Sequence, residues 1–309
     1  MGEAPVGVLV MAYGTPASPA DVEAYYTHVR RGRPPTPELL ADLRRRYDAI
    51  GGTSPLAART WAQVDALRES LGSGFVVTLG QKHAAPFVED AAAELLAAGA
   101  RRVVGLVLAP HYSALSVGQY HERAAAAVAG AAGGARYLPI PSWHLEPVLV
   151  ELLAQRVVSA RATLAATATV ETLFTAHSLP ERARLLDDPP YPEQLAATAS
   201  AVAGRAGLDR WRVAWQSAGR TAEAWIGPDL LEVLRALPSE GVDAVVVCPA
   251  GFVSDHLEVL YDVDIEARQV ADGAGLSLAR TASFNDDPAF VALLASLVHS
   301  RLEDGPAAA

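Results

Sequence analysis

The chain has 309 residues, 51% of them hydrophobic and 19% charged, with a formal net charge of -10. That length fits two ordinary domains with sizeable cores, and the acidic balance excludes a nucleic-acid binder, whose phosphate contacts need clustered cations. The single cysteine, Cys248, excludes an intramolecular disulfide framework and any Cys-rich zinc or iron-sulfur site.

Met1 leads almost directly into an apolar segment, without the basic and long apolar regions of a signal peptide. No stretch reaches the ~20 apolar residues of a membrane helix, so a soluble, cytoplasmic protein is expected. Along the chain, apolar strands alternate with amphipathic helices. A strand at residues 6–10 precedes helices at 19–29, 36–49 and 55–71. In the middle helix Leu39, Leu40, Leu43 and Tyr47 recur at helical spacing, with Arg44, Arg45 and Arg46 between them. A strand at 75–79, a helix at 87–98, a strand at 102–109, a helix at 117–129, a short strand at 136–138 and a helix at 146–164 complete the first half. The second half repeats the alternation, with strands at 170–175, 211–215, 244–248 and 276–280 and helices at 192–206, 229–237, 257–271 and 288–302. The tail, residues 304–309, is expected to fray.

The halves align on each other in three places and in the same order. Met11-Ala12-Tyr13-Gly14-Thr15-Pro16 corresponds to Thr175-Ala176-His177-Ser178-Leu179-Pro180, Val107-Leu108-Ala109-Pro110 to Val246-Val247-Cys248-Pro249, and residues 142–153 to 283–294. The implied fold is a duplicated α/β domain: two Rossmann-like lobes, each a four-stranded parallel sheet flanked by helices, with a cleft between them. The boundary falls in the Ala- and Thr-rich stretch before residue 169, giving lobes at 1–168 and 169–309, with terminal helices free to cross between them. Ligands of open α/β sheets bind beyond the carboxyl ends of the strands. Tyr13 and His177 both stand there, and the repeat makes them counterparts.

Glu258, Asp262 and Glu266 recur every four residues, which on an α-helix stacks three carboxylates about 6 Å apart. Like charges at that spacing need compensation. Hydrated divalent cations would supply it, and so would a solvated acidic face near a helix N-terminus. His177 at a strand end suits a general base, a metal ligand or a hydrogen-bonded structural residue. His83 and His111 also follow strands. Residues 25–33, with Arg30, Arg31 and Arg33, together with Arg46 and the loop around Ser54, concentrate cations in an acidic chain. Arginine there suits carboxylates or phosphates, or a solvated basic face with Ser54 as a helix cap. No Walker A loop or GxGxxG follows a strand.

These runs, with Ile50-Gly51-Gly52-Thr53-Ser54-Pro55-Leu56, Leu108-Ala109-Pro110-His111, Trp215-Gln216-Ser217, Trp225-Ile226-Gly227-Pro228 and residues 251–262, resemble those of ferrochelatases over nearly the whole chain. The likeness is greatest to the soluble branch that inserts ferrous iron into coproporphyrin III. It implies a chelatase-like fold, with His177 as proton acceptor or iron-delivering ligand and Glu258 as its partner. Asp262 and Glu266 would relay hydrated cations, and Tyr13 would approach the metal from the opposite face. Arg30, Arg31, Arg46, Ser54 and Tyr120 would surround the four propionates, and Trp225 would pack on the macrocycle. The resemblance implies no cofactor beyond Fe2+ as substrate and no [2Fe-2S] cluster, which Cys248 alone cannot hold. It implies a monomer without stable membrane insertion that meets neighbouring haem-pathway enzymes transiently. A chelatase for protoporphyrin IX or another tetrapyrrole, and a non-catalytic tetrapyrrole or metal carrier, are the rival readings.

Overall fold

A computed structural model of the chain describes residues 4–131, 133–219 and 221–303; the tail at 304–309 lies outside them. Seven consecutive buried residues make Val6–Ala12 (β1) a central strand. It pairs in parallel with Phe75–Gln81 (β2) on one side and Arg102–Val107 (β3) on the other, and β3 pairs with Arg136–Ile140 (β4). Uninterrupted apolar runs read this way because helices cover both faces of a parallel sheet. The helices of this half are Val22–Val29 (α1), Pro37–Ala49 (α2), Leu56–Leu71 (α3), Val88–Ala97 (α4), Val117–Ala129 (α5) and Pro147–Arg161 (α6).

The second sheet repeats the plan. Val170–His177 (β5) is central, between Trp211–Gln216 (β6) and Ala244–Cys248 (β7), with Ser277–Arg280 (β8) outside β7. The strand orders β2-β1-β3-β4 and β6-β5-β7-β8 are the same order shifted by one repeat. The helices are Tyr191–Ala206 (α7), Leu230–Ala236 (α8), Leu257–Leu260 (α9), Arg268–Gly273 (α10) and Pro288–Glu303 (α11). Alternation along β7 divides the core in two. Val245 and Val247 join Leu230, Val233, Leu234, Val263 and Ala271, whereas Ala244 and Val246 join Ala160, Val170 and Ala279. A period of two sends neighbouring side chains to opposite faces, and each fully buried Val or Leu stabilises by roughly 1.5–3 kcal/mol.

The contacts divide the chain into two compact units, residues 1–109, 116–142 and 285–309 in the first, 110–115 and 143–284 in the second. The division is therefore not one cut after residue 168. Helix α6, which ends the first half in sequence, packs on α7, β7 and β8 in the second unit, and α11, which ends the second half, packs on α3, β3 and β4 in the first. These are the two helices that begin within the aligned stretches at 142–153 and 283–294. Each repeat thus supplies the last helix of the other unit.

The largest difference from sequence-based expectation lies in the second unit. The helix expected over 257–271 is a short α-helix, then a π-helical segment at Asp262–Ala267, then α10. The Glu266 amide donates to the Tyr261 carbonyl at 2.9 Å, an i→i+5 bond. Extra winding of this kind inside helices often marks functional sites, and it removes the regular i, i+4 stacking of an α-helix.

Candidate active site

The second unit builds its site from the end of β5. Seven buried residues carry β5 to His177, whose ring is 34% exposed. Three bonds fix the turn that follows. The Ser178 amide donates to Gln216 O at 2.8 Å, Ser178 Oγ to Ile226 O at 2.8 Å, and Tyr191 Oη to His177 O at 3.1 Å. The loop after β7 comes in against β5 because Gly251 lacks a side chain. A Cβ there would lie 2.5 Å from Ala176 Cβ, and the Gly251 amide donates to Thr175 O at 3.0 Å. Gln216 ties the loop's product to the sheet: its Oε1 accepts from Thr175 Oγ1 at 2.8 Å, and its Nε2 donates to the Glu258 carbonyl at 2.8 Å.

Glu258 stands between two imidazoles. Its Oε1 lies 3.6 Å from His177 Nε2 and its Oε2 3.6 Å from His256 Nε2. In each ring Nδ1 faces a main-chain carbonyl, Ser178 O for His177 and Ser254 O for His256. A carbonyl only accepts, so each Nδ1 carries a proton. Each Nε2 is then left with a lone pair or with the second proton of an imidazolium facing the carboxylate. Burial alone pulls the His256 pKa down, but the Glu258 hydrogen bond and charge, the Ser254 carbonyl and Asp262 outweigh it, and the net shift is upward. At His256 the arrangement stabilises a proton on Nε2.

His256 stands in the site although the sequence pattern assigned it no catalytic or metal-binding role. Residues two apart on a helix do not face each other, so His256 and Glu258 do not look like a pair. The pairing arises because His256 precedes the first turn with extended backbone, φ -157° and ψ -179°, which turns its ring back towards Glu258. Asp262 is buried and accepts from Ser217 Oγ. Ser217 follows β6 with φ +61°, a left-handed conformation that non-glycine residues adopt only under constraint. Glu266 is half-buried on the π-helical segment. Among the described residues no group of three or more His, Cys, Asp or Glu stands close enough to hold a metal ion. The Trp225 ring lies 6.4 Å from that of His177 and its Nε1 donates to Thr221 Oγ1.

The first unit places Tyr13 just beyond β1. It is 44% exposed, with its ring 4.6 Å from that of His83. Gly14 turns the chain with φ +91°, and a Cβ there would meet Ala84 at 2.9 Å. His28 and His83 face each other Nδ1 to Nδ1 at 3.0 Å, which requires one proton shared between them. Lys82 Nζ sits 5.0 Å from the centre of the Tyr120 ring, and Arg123 donates to the Lys82 carbonyl while forking onto Glu89 at 2.7 and 2.6 Å. Burial, then the charges of Arg123 and Arg31, bring the Lys82 pKa down to about 8. Burial raises that of Tyr120, which is 5% exposed.

Of the other expected anion-binding residues, Arg30 donates to the Arg33 carbonyl and lies over the Tyr26 ring. Arg31 occupies the left-handed region at φ +58°. Arg46 Nε is 3.3 Å from Asp42 Oδ2. Ser54 Oγ accepts from the Leu56 amide at 3.2 Å, as expected for a residue ahead of a helix. His111 is packed inside the second unit, its Nε2 3.0 Å from Thr198 Oγ1.

A family model described as Ferrochelatase matches residues 5–302. The chain belongs to the ferrochelatase family. Among curated relatives, the coproporphyrin III ferrochelatase of Anoxybacillus flavithermus is 46% identical, with 98% of each chain covered. That of Geobacillus sp. is 44% identical over 98% of this chain and all of its own, at 100%, and that of Bacillus subtilis 43% over 98% and 99%. The fold is also that of SirB from Bacillus subtilis with Fe3+, at a TM-score of 0.62 and 12% identity over 96% of this chain and 95% of SirB. Two four-stranded parallel sheets flanked by helices are thus the chelatase-like architecture, and the enzyme is a metal-inserting lyase of haem biosynthesis. No helix among the described residues is long and apolar enough to cross a membrane.

Proposed function

We propose that this ferrochelatase inserts Fe2+ into coproporphyrin III to give Fe-coproporphyrin III, acting in the cytoplasm as a monomer without a bound cluster. The observation that carries the chemistry is the His177–Glu258–His256 arrangement, with both Nδ1 protons fixed on carbonyls and both Nε2 atoms turned to one carboxylate. The substrate follows from relatives at 43 to 46% identity that are named for coproporphyrin III.

Metallation releases two pyrrole N-H protons and strips water from the incoming ion. His177 Nε2 takes one of the two protons and the other passes to solvent, and Glu258 stabilises the imidazolium and gives the ion an oxygen donor. His256 bears on the other carboxylate oxygen and keeps it oriented. Asp262 and Glu266 pass hydrated Fe2+ towards Glu258, and Tyr13 supplies an oxygen ligand to the metal. Arg30, Arg31, Arg46, Ser54 and Tyr120 hold propionates, for which guanidinium forks are matched in shape and charge, and Trp225 packs against the ring. Walls that favour a buckled macrocycle lower the barrier by binding the distorted form better than the flat one.

The test is absorbance-monitored metal insertion under anaerobic Fe2+ with coproporphyrin III and protoporphyrin IX, each with and without protein. Faster turnover with coproporphyrin III is expected. A preference for protoporphyrin IX overturns the substrate, and binding without acceleration makes the chain a carrier.

A further inference from the structure

We infer that Arg280 is a positioning residue for iron insertion, tying together the two ends of residues 255–264, the stretch that carries His256, Glu258 and Asp262. The inference rests on the reading of His177 and Glu258 given above. Arg280 is the last residue of β8. Its Nε and Nη2 donate to Oδ1 and Oδ2 of Asp264 at 2.7 and 2.9 Å, a two-bond fork. Its Nη1 donates to the Thr281 carbonyl at 3.0 Å and lies 3.4 Å from Asp255 Oδ1, which also accepts from Ser283 Oγ at 2.8 Å. Asp255 precedes α9, and Asp264 lies in the π-helical segment after it. One guanidinium therefore holds both flanks of Glu258 to the end of the sheet.

The need for it is electrostatic. Residues 255–266 contain five carboxylates, Asp255, Glu258, Asp262, Asp264 and Glu266, and no Lys or Arg. Without an outside cation their repulsion favours opening the segment. The side chains of Arg280, Asp255 and Asp264 are 15%, 20% and 28% exposed, so water and salt screen these pairs less than surface pairs. Arg280 takes up the carboxylates that flank the site and so fixes the backbone from which Glu258 reaches both imidazoles. Lysine offers a point charge without the fork.

The experiment compares the full-length parent, Arg280→Met and Arg280→Lys in steady-state Fe2+ insertion into coproporphyrin III, with thermal melts and porphyrin fluorescence quenching. Arg280→Met is expected to lose roughly 10–100-fold in kcat with the KM for coproporphyrin III within about twofold of the parent. Arg280→Lys should recover part of kcat, which general destabilisation would not produce. If Arg280→Met does not fold, Asp264→Asn is measured instead, with a several-fold fall in kcat and unchanged KM expected. A folded variant with the parent's kcat, or a kcat loss matched by an equal rise in KM, overturns the clamp. His177→Ala run in parallel separates the two readings. An inactive His177→Ala beside a fully active Arg280→Met sinks the clamp alone, whereas an active His177→Ala removes the site reading and the clamp with it.

Discussion

β1 and β5 each run down the middle of a four-stranded parallel sheet, and a polar ring side chain stands at the end of each, Tyr13 just beyond β1 and His177 as the last residue of β5. The surroundings of those two ends differ in sign. Around Tyr13 stand His83 and Tyr120, with Lys82 and Arg123 close by, and burial followed by neighbouring cations pushes the His83 pKa down to about 3. At the other end Glu258 bears on both His177 and His256, Asp262 also acts on His256, and His256 is shifted the other way. A duplicated scaffold has thus been given one end that favours anions and neutral rings and another that favours protons and cations. The backbone plan does not dictate this, because strand order is indifferent to the charge of the loops it positions.

The largest expected effect tests the His177 end. His177→Ala should lower iron insertion by at least about a hundredfold, the scale of a lost general base, while coproporphyrin still quenches protein fluorescence; near-normal turnover would remove His177 from the reaction. Buried histidines make both units sensitive to acid, His111 in the second and His121 in the first. His121 is buried in the first unit against the Tyr137 hydroxyl and the Ile140 carbonyl, and burial brings its pKa down to about 4. A depressed pKa means the contribution is complete above the unfolded value near 6.5 and is lost as pH falls towards the folded one. By that linkage His121 by itself should account for a loss of about 2 kcal/mol of stability between pH 7 and pH 5. His121→Asn should flatten this slope in denaturant titrations, and an unaltered slope would place the acid sensitivity elsewhere.

Arg46→Ala addresses the anion-favouring end. It should raise the KM for coproporphyrin III about tenfold, the loss of one charge-assisted bond, with kcat retained. An unchanged KM would take Arg46 out of the propionate site. The smallest effect is expected at Glu266. Glu266→Gln should cost only a few-fold in rate at low Fe2+ and nothing at saturating Fe2+. A response to iron identical to the parent's would make Glu266 part of a solvated acidic face.

Much of the architecture is legible without coordinates. Apolar runs such as Val6 to Val10 are long enough for strands and too short for helices, and the helix at Val117–Ala129 and the strand at Ala244–Cys248 fall where periodicity and turn residues put them. The region that departs from pattern is the acidic one. Local periodicity reads residues 257–271 as one α-helix, while the π-helical segment found there bonds to distant residues, as Asp264 does to Arg280, sixteen positions away.

What the sequence by itself determines, then, is the number of strands, the helices outside residues 257–271, the duplication, and the residue types at the ends of β1 and β5, all encoded in short-range pattern or in matching words. The exchange of α6 and α11 between units, the turn that brings His256 onto Glu258, and the close approach at Gly251 were decided only by the tertiary structure. Each depends on which distant segments compete to bury the same apolar face or satisfy the same charge, and that competition leaves no periodic mark along the chain.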